Sequence, residues 1–278
     1  MGVPEPVQAT AYLAAACRAA ETRSANPRLR DPYAERFAAA GRGSPPYQRL
    51  LAAGGDEVVA RTALLDQLVL AAVADGEPPL LLNLGAGCCT RPYRLDLSGC
   101  ALVVEWDDPA VLAVKQRALA DARPSCPVQR AGADLRDPAR LRELLAALPP
   151  VPRVVVVTEG LLPYLSPAAI AELAGELGRA LPGARWLTDL VSSVSAEGMA
   201  QLARAAGVPV ELSGLDTLAP FEQHGWVAVD YRLLPTPRRG PLPRPSPAGA
   251  ASHRVVDGVA AFARQRVPAA PDPPAATC

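Results

Sequence analysis

The residues best suited to chemistry begin with two glycines that follow a short apolar run. The run starts at Pro79 and ends at Leu84, and Gly85 and Gly87 come directly after it. An apolar run of this length between Pro and Gly predicts a buried strand of a parallel sheet. Glycine at the end of such a strand lets the backbone turn sharply and approach a ligand, because no Cβ intervenes. The turn therefore predicts a bound cofactor.

The spacing of this turn indicates which kind of cofactor to expect. The pattern Gly85-x-Gly87-x-x-Thr90 lacks the third glycine of the dinucleotide fingerprint. That glycine permits close packing of helix and strand beneath a pyrophosphate. Its absence argues against NAD and favours a nucleoside without phosphates, with S-adenosylmethionine as the first candidate. A nicotinamide-dependent oxidoreductase is the rival hypothesis, and a non-catalytic cofactor-binding protein is the third.

Acidic residues follow the other predicted strands at positions that suit the same ligand. Glu105 and Asp107 lie about twenty residues beyond the turn, where a carboxylate can accept hydrogen bonds from ribose hydroxyls. Asp134 could meet an adenine amino group, although Asp is also a common helix N-cap. Glu159 ends a strongly apolar strand, where a carboxylate costs energy unless a cation pairs with it. The α-ammonium of an amino-acid-like cofactor, or an arginine, would be such a cation.

Three further residues complete the set of candidates. Arg61 lies in a predicted helix before the turn and could bind a carboxylate bidentately, although helical arginines usually face solvent. Tyr164 and His224 are the candidates for an acid or base. The setting of His224 is typical of a loop before a strand, which favours a structural role. The catalytic residue is therefore not assigned.

Alternating strands and helices must position these residues. Apolar and β-branched segments predict five strands, and Asp-Pro or Ser-Pro pairs predict the starts of the helices between them. The five strands are predicted at 80–84, 101–105, 128–132, 154–158 and 185–191. This alternation predicts an α/β fold with a doubly wound, mainly parallel sheet. Ligands of such sheets bind beyond the carboxyl ends of the strands, where the candidates fall.

The pattern along the chain predicts three parts. The pattern of residues 1–78 predicts an N-terminal helical cap that shapes the substrate site. The pattern of residues 79–234 predicts the cofactor-binding α/β core. Residues 235–278 form a proline-rich carboxyl-terminal segment that could add one last strand or helix.

Composition disfavours several classes of function. The chain of 278 residues has 28 basic and 28 acidic side chains and no basic stripe, which disfavours a nucleic-acid partner. No apolar run approaches the roughly 20 residues that span a bilayer. The amino terminus lacks the features of a secretory signal, so we expect no membrane partner and a cytoplasmic location. Six cysteines without a Cys-x-x-Cys pair, and only two histidines, predict no metal site.

Several segments of the sequence resemble the leucine carboxyl methyltransferase family. They are residues 83–95, 104–109 with Lys115, 132–137 and 158–167, supported by 31–33, 61–62 and, more faintly, 224–226. They occur in the family's order over roughly residues 9–232. Each motif is moderately specific, and together they form a strong resemblance.

The resemblance implies a class I S-adenosylmethionine-dependent O-methyltransferase of the bacterial natural-product type. By motif position, Arg61 would bind the carboxylate of the cofactor, and Glu159 would lie close to its amino-acid portion. Gly85 and Gly87 would line the methionine side, and Asp107 would bind the ribose. The resemblance thus raises Arg61 from a solvated side chain to a cofactor ligand.

The rest of the resemblance is less complete. At the adenine end it implies that Asp134 and Leu135 flank the base. Bacterial members often carry Asp where this chain has Cys89. Whether this position makes a hydrogen bond to the cofactor is therefore left open. The family's basic residue in the amino-terminal helix has no clean match, although Arg18 and Arg23 lie nearby. The carboxyl-terminal part matches no family motif, which leaves open whether the sheet has the usual last strand.

The implied chemistry also bears on the acceptor. Methyl transfer from a sulfonium chiefly needs a positioned nucleophile and the exclusion of water. A carboxylate is ionised at neutral pH and needs no general base, whereas a phenol, with a pKa of about 10, would benefit from one. The absence of an obvious base favours a carboxylate acceptor on a peptide or small metabolite. A phenol or hydroxyl acceptor of secondary metabolism is the alternative, and the oligomeric state is not determined.

Overall fold

A mixed eight-stranded sheet organises the protein. The computed structural model describes residues 6–38, 45–208, 210–235, 246–247 and 254–264. The strands are β1 (Leu80–Leu84), β2 (Leu102–Asp107), β3 (Val128–Gly132), β4 (Val154–Thr158), β5 (Arg185–Leu190), β6 (Trp226–Leu233), β7 (Ser246–Pro247) and β8 (Gly258–Arg264). The helices are α1 (Pro6–Thr22), α2 (Glu35–Ala38), α3 (Pro45–Ala74), α4 (Arg91–Arg94), α5 (Pro109–Ala118), α6 (Pro138–Ala146), α7 (Pro167–Ala180), α8 (Ser193–Ala205) and α9 (Ala219–Glu222). A 3₁₀ turn spans Leu162–Tyr164.

The first five strands run parallel, which confirms the predicted doubly wound α/β fold. Their spatial order is β3-β2-β1-β4-β5, and β1 pairs with both β2 and β4. The chain winds outward in opposite directions from β1 and β4. A crevice therefore opens beyond the carboxyl ends of these two strands. The glycine turn leaves β1 at this crevice.

The carboxyl-terminal segment supplies a strand rather than a helix. β8 inserts between β5 and β6 and runs antiparallel to both, while β7 pairs with two residues of β6. Val259, Ala260 and Phe262 are fully buried in β8. The alternative that the sheet lacks a last strand is therefore wrong. Most of the proline-rich stretch lies outside the described residues.

Both faces of the sheet are buried, which explains the continuous apolar runs. Alternating side chains of β1 point to opposite faces. Leu80 and Leu82 pack on the face covered by α6 and α7. Leu81 packs on the other face, against apolar side chains of α3. No described helix is long and apolar enough to cross a membrane.

The amino-terminal helices cover the glycine turn. Tyr12 and Ala15 of α1 and Phe37 of α2 form a buried cluster that also includes Cys88 and Leu119. Cys88 directly follows the turn, and Leu119 directly follows α5. The segment before the sheet thus contacts the carboxyl edge where the candidate residues lie.

The burial of β8 predicts a large loss of stability on truncation of Phe262. This ring is fully buried, and it stacks on Phe221 at 4.4 Å between ring centroids. Phe262→Ala should lower the free energy of unfolding by about 3–5 kcal/mol, measured by urea denaturation. Val256→Ala, at a side chain that is 52% exposed, should change it by less than about 0.5 kcal/mol. Equal effects of the two substitutions would contradict an integral β8.

Candidate functional site

The glycine turn and Asp107 meet at the carboxyl edge of the sheet. The backbone N–H of Gly87 donates to Oδ2 of Asp107 at 2.6 Å, and that of Asp108 donates to Oδ1 at 2.6 Å. Burial raises the pKa of Asp107, and the two N–H groups oppose that shift by favouring the ionised form. The hydrogen bond from Gly87 therefore links the end of β2 to the turn that follows β1.

Two glycines allow the loops after β1 and β4 to lie in contact. Gly85 has φ 65° and Gly160 has φ 63°, in the left-handed region that favours glycine. A Cβ on Gly85 would lie 3.1 Å from Cδ1 of Leu161. A Cβ on Gly160 would lie 3.1 Å from Nη2 of Arg61. A side chain at Gly85 would therefore crowd the loop after β4, and one at Gly160 would crowd the guanidinium of Arg61 in α3.

Glu159 lies at this edge and pairs with arginines, which are one of the two kinds of cation that the sequence analysis expected for it. Its Oε2 is 2.6 Å from Nη2 of Arg91. Its Oε1 accepts a hydrogen bond from Oγ1 of Thr62 at 2.5 Å and lies 3.4 Å from Nε of Arg61. Burial alone would raise the pKa of Glu159, but the guanidinium groups of Arg91 and Arg61 hold it well below its usual range.

Arg61 also pairs with a carboxylate that the sequence analysis missed. Its Nη1 is 3.1 Å from Oδ2 of Asp189, which is 1% exposed near the end of β5. Oδ1 of Asp189 accepts from the backbone N–H of Gly160 at 2.8 Å. The signal was present, because Asp189, like Glu159, is a carboxylate close to the carboxyl end of a strand. Arg61 therefore lies between two carboxylates at the carboxyl edge.

The predicted contact of Glu105 with the cofactor requires a correction. Its side chain is fully buried, with one oxygen 2.7 Å from Nζ of Lys115 and the other 2.8 Å from Nε of Arg130. Nζ of Lys115 also donates to the carbonyl of Ala86 at 3.3 Å. Glu105 thus supports the glycine turn through Lys115, and its buried side chain does not face the crevice. Lys115, ten residues later in the sequence, was the signal for this pair.

The two residues predicted to flank the adenine lie past the end of β3. Asp134 is exposed, and both of its oxygens accept hydrogen bonds from the guanidinium of Arg136 at 2.9 Å. These hydrogen bonds lower the pKa of Asp134. Leu135 is partly buried and packs against the core on the α6–α7 face. Their contact with an adenine stays a prediction.

His224 lies at the wrong edge of the sheet for catalysis. It precedes β6, whose first residue, Trp226, pairs with Arg264 of β8. Ala263 of β8 pairs with the first residue of β5, so β5 and β6 start level with each other. A six-residue strand spans about 20 Å, which separates His224 from the carboxyl edge by roughly that distance. Its ring packs instead against Gly175 of α7.

Tyr164 lies close to the candidate residues. It follows β4 in the 3₁₀ turn, hydrogen-bonds with the side chain of Thr10 in α1, and interacts electrostatically with Arg61. Burial raises the pKa of the Tyr164 phenol above its usual value. The hydroxyl is therefore protonated at neutral pH and is a poor general base.

Of the two arginines near the family's basic position in the amino-terminal helix, Arg18 is the one that contacts the glycine turn. Its Nε is 2.8 Å from Oδ2 of Asp31, and its Nη2 donates to the carbonyl of Cys88 at 2.6 Å. Arg23 is instead exposed and pairs with Glu35 at the surface. Arg18 therefore lies at the glycine turn.

Comparison with known families identifies the family of this chain. A family model described as leucine carboxyl methyltransferase matches residues 11–178, which is more than half of the chain. The chain belongs to the leucine carboxyl methyltransferase family. The resemblance seen in the motifs is thus confirmed, and S-adenosylmethionine is the cofactor of this family's chemistry.

Relatives of this leucine carboxyl methyltransferase family member carry consistent names. A protein of Mycolicibacterium paratuberculosis is 37% identical over 207 residues, which cover 66% of this chain and 63% of that protein. A protein of Mycobacterium marinum is 32% identical over 268 residues, which cover 82% of each chain. Both are named as S-adenosyl-L-methionine-dependent methyltransferases. The chain thus spans about two thirds of the first relative's length and most of the second's.

Solved structures support the fold. A DUF574 family protein of Streptomyces avermitilis has a TM-score of 0.56 at 18% identity, covering 92% of this chain and 97% of that one. A methyltransferase of Thermobifida fusca has a TM-score of 0.56 at 16% identity, covering 92% and 94%. These likenesses show that the family member has the same α/β fold as both proteins.

The buried ion pair between Lys115 and Glu105 predicts that Lys115 is needed for stability. Lys115→Met leaves the carboxylate of Glu105 with one cation and should lower the free energy of unfolding by about 3 kcal/mol. Arg136→Met breaks the exposed pair with Asp134, which solvent screens, and should cost less than about 1 kcal/mol. Urea denaturation measures both. Adding Glu105→Gln to Lys115→Met should recover part of the loss, and no recovery would contradict this account.

Proposed function

We propose that this chain is an S-adenosylmethionine-dependent O-methyltransferase whose acceptor is a carboxylate of a peptide or small metabolite. One arrangement carries the proposal. Asp107, at the end of β2 and hydrogen-bonded to the glycine turn, and Glu159 with Arg61 lie at the crevice where the sheet reverses its winding. Family membership supports the methyl donor, and the acid–base groups at this edge support the choice of acceptor.

The residues of the crevice fit a nucleoside that carries an amino-acid end. Each oxygen of Asp107 accepts one backbone hydrogen bond and keeps a further lone pair for a ribose hydroxyl. Arg61 and Glu159 offer opposite charges side by side, as a zwitterion requires. Gly160 leaves room for the guanidinium of Arg61, which a Cβ would approach to 3.1 Å. The charges and hydrogen-bonding groups therefore agree with S-adenosylmethionine.

The chemistry asks this chain to position and shield rather than to move protons. When bound, the cofactor supplies an electrophilic methyl group on a sulfonium. Oriented binding of two reactants can contribute roughly 7–11 kcal/mol. Glu159 and Arg61 would fix the amino-acid end, and Asp107 would fix the ribose. Leu161 lies against the glycine turn and would help to exclude water.

The acid–base groups at this edge favour an acceptor that is already ionised. His224 lies at the opposite edge, and the pKa of Tyr164 is raised, so neither removes a proton efficiently at neutral pH. A carboxylate needs no such removal because its pKa lies about three units below neutral. A phenol acceptor would require a base that these residues do not supply.

Transfer of labelled methyl tests the acceptor class. We expect the protein, incubated with methyl-labelled S-adenosylmethionine and an extract of its source, to yield a product whose label is released by alkali. Methyl esters hydrolyse in alkali, whereas phenol ethers and methylamines do not. Alkali-stable label would contradict a carboxylate acceptor. Thermal stabilisation by NAD(H) and not by S-adenosylhomocysteine would contradict the proposed cofactor.

Substitution of the crevice carboxylates tests the cofactor site. Asp107→Ala and Glu159→Gln each remove a charged hydrogen-bonding group and should weaken S-adenosylhomocysteine binding about tenfold or more in calorimetry. Glu143→Gln, at an exposed carboxylate on α6, is the control and should bind as the unmodified chain does. Unchanged affinity in both crevice variants would overturn the site assignment.

A further inference from the structure

The ionic side chains around Glu159 form one continuous buried chain. Among the described residues, arginines and carboxylates alternate in it, and each consecutive pair lies within 3.7 Å. The members in order are Arg18, Asp31, Arg94, Asp66, Arg91, Glu159, Arg61 and Asp189. None of these side chains is more than 15% exposed. Their formal charges cancel, which buried charges require.

Asp66 is the carboxylate that joins the two arginines of α4. Its Oδ1 accepts from Nε of Arg91 at 2.7 Å and from Nη2 of Arg94 at 2.8 Å, and its Oδ2 accepts from Nη1 of Arg94 at 2.6 Å. Asp66 lies one turn of α3 beyond Thr62, so both side chains share a face of that helix. Thr62 donates to Glu159 directly, whereas Asp66 reaches Glu159 only through Arg91.

Arg91 transmits the position of Asp66 to Glu159. The guanidinium is planar and rigid, so fixing its Nε also fixes the direction of its Nη2. Nη2 lies 2.6 Å from Oε2 of Glu159, whereas the nearest nitrogen of Arg61 lies 3.4 Å from Oε1. Arg91 is therefore the closer cationic partner of Glu159. Arg61 lies farther from Glu159, and its Nη1 pairs with Asp189 at 3.1 Å.

We propose that Asp66 is a positioning residue for the amino-acid end of the cofactor. It orients Arg91, which holds Glu159 in place beside Arg61, the residue proposed above to bind the carboxylate of the ligand. The inference rests on the proposed function. A zwitterion adds one ammonium and one carboxylate, so the formal charge of the buried chain stays at zero when it binds. The site thus accepts this ligand without an uncompensated buried charge.

Two ligands that differ only at the amino-acid end test this role in the full chain. S-adenosylhomocysteine carries that end, and 5′-deoxy-5′-methylthioadenosine lacks it. Asp66→Asn keeps the shape of the side chain and removes its charge. It should weaken S-adenosylhomocysteine binding about tenfold, because a charged hydrogen-bond partner of Arg91 is lost. Binding of 5′-deoxy-5′-methylthioadenosine, measured by the same calorimetry, should not change.

Glu176 provides a matched control. It is also a nearly buried carboxylate between two arginines, Arg142 and Arg179, but it lies in the carboxyl-terminal half of α7. Glu176→Gln should leave the affinity for both ligands as in the unmodified chain. A loss for both ligands in Asp66→Asn would indicate a general structural role. That result, or no change for either ligand, would overturn the proposal.

A second variant keeps the test decisive if Asp66→Asn does not fold. Arg91→Lys retains the charge, but its ammonium lacks the fork that reaches Asp66 and Glu159 together. It should show the same selective loss for S-adenosylhomocysteine. Failure of both variants to fold would make the network purely structural and overturn the positioning role. If the unmodified chain does not bind S-adenosylhomocysteine, the proposed function itself fails, which separates the two results.

Discussion

Charge at the carboxyl edge of the sheet must be neutralised inside the protein, because little water reaches it. Glu159 directly follows β4 and Asp189 lies near the end of the adjacent β5, and their carboxylates lie within reach of Arg61 from α3. A buried carboxylate without a cation would cost several kcal/mol, so the helices that supply arginines are tied to the sheet edge. The placement of α3 therefore depends on this pairing as well as on its apolar face.

The same requirement gives the amino-terminal helices a part in the site. Arg18 of α1 donates to the carbonyl of Cys88, next to the glycine turn, while pairing with Asp31 in the segment before α2. Thr90 donates to the same Asp31 oxygen at 2.7 Å. Helices that the sequence predicted as a cap thus share hydrogen bonds with the turn that they cover.

Local patterns in the sequence were enough to predict the parallel strands, but not the origin of every polar contact. The glycine turn and the strand before Glu159 could be predicted because a glycine or an apolar run determines the conformation of its own segment. β8 is alanine-rich and fits either a strand or a helix, and only its position between β5 and β6 decides. Glu105 was assigned to the cofactor because spacing places it near the turn but does not show which cation it meets. The loop setting of His224 favoured a structural role, and the topology, which starts β6 at the far edge, accounts for its distance from the crevice.

Lys115 has a consequence for work on this chain in solution. It is the one lysine in the sequence, against 27 arginines, and its side chain is fully buried. Reagents and modifying enzymes that act on lysine amines therefore meet no accessible side chain on the folded protein. Labelling of Lys115 would require transient opening of the segment around α5, so the labelling rate of this residue would report local unfolding.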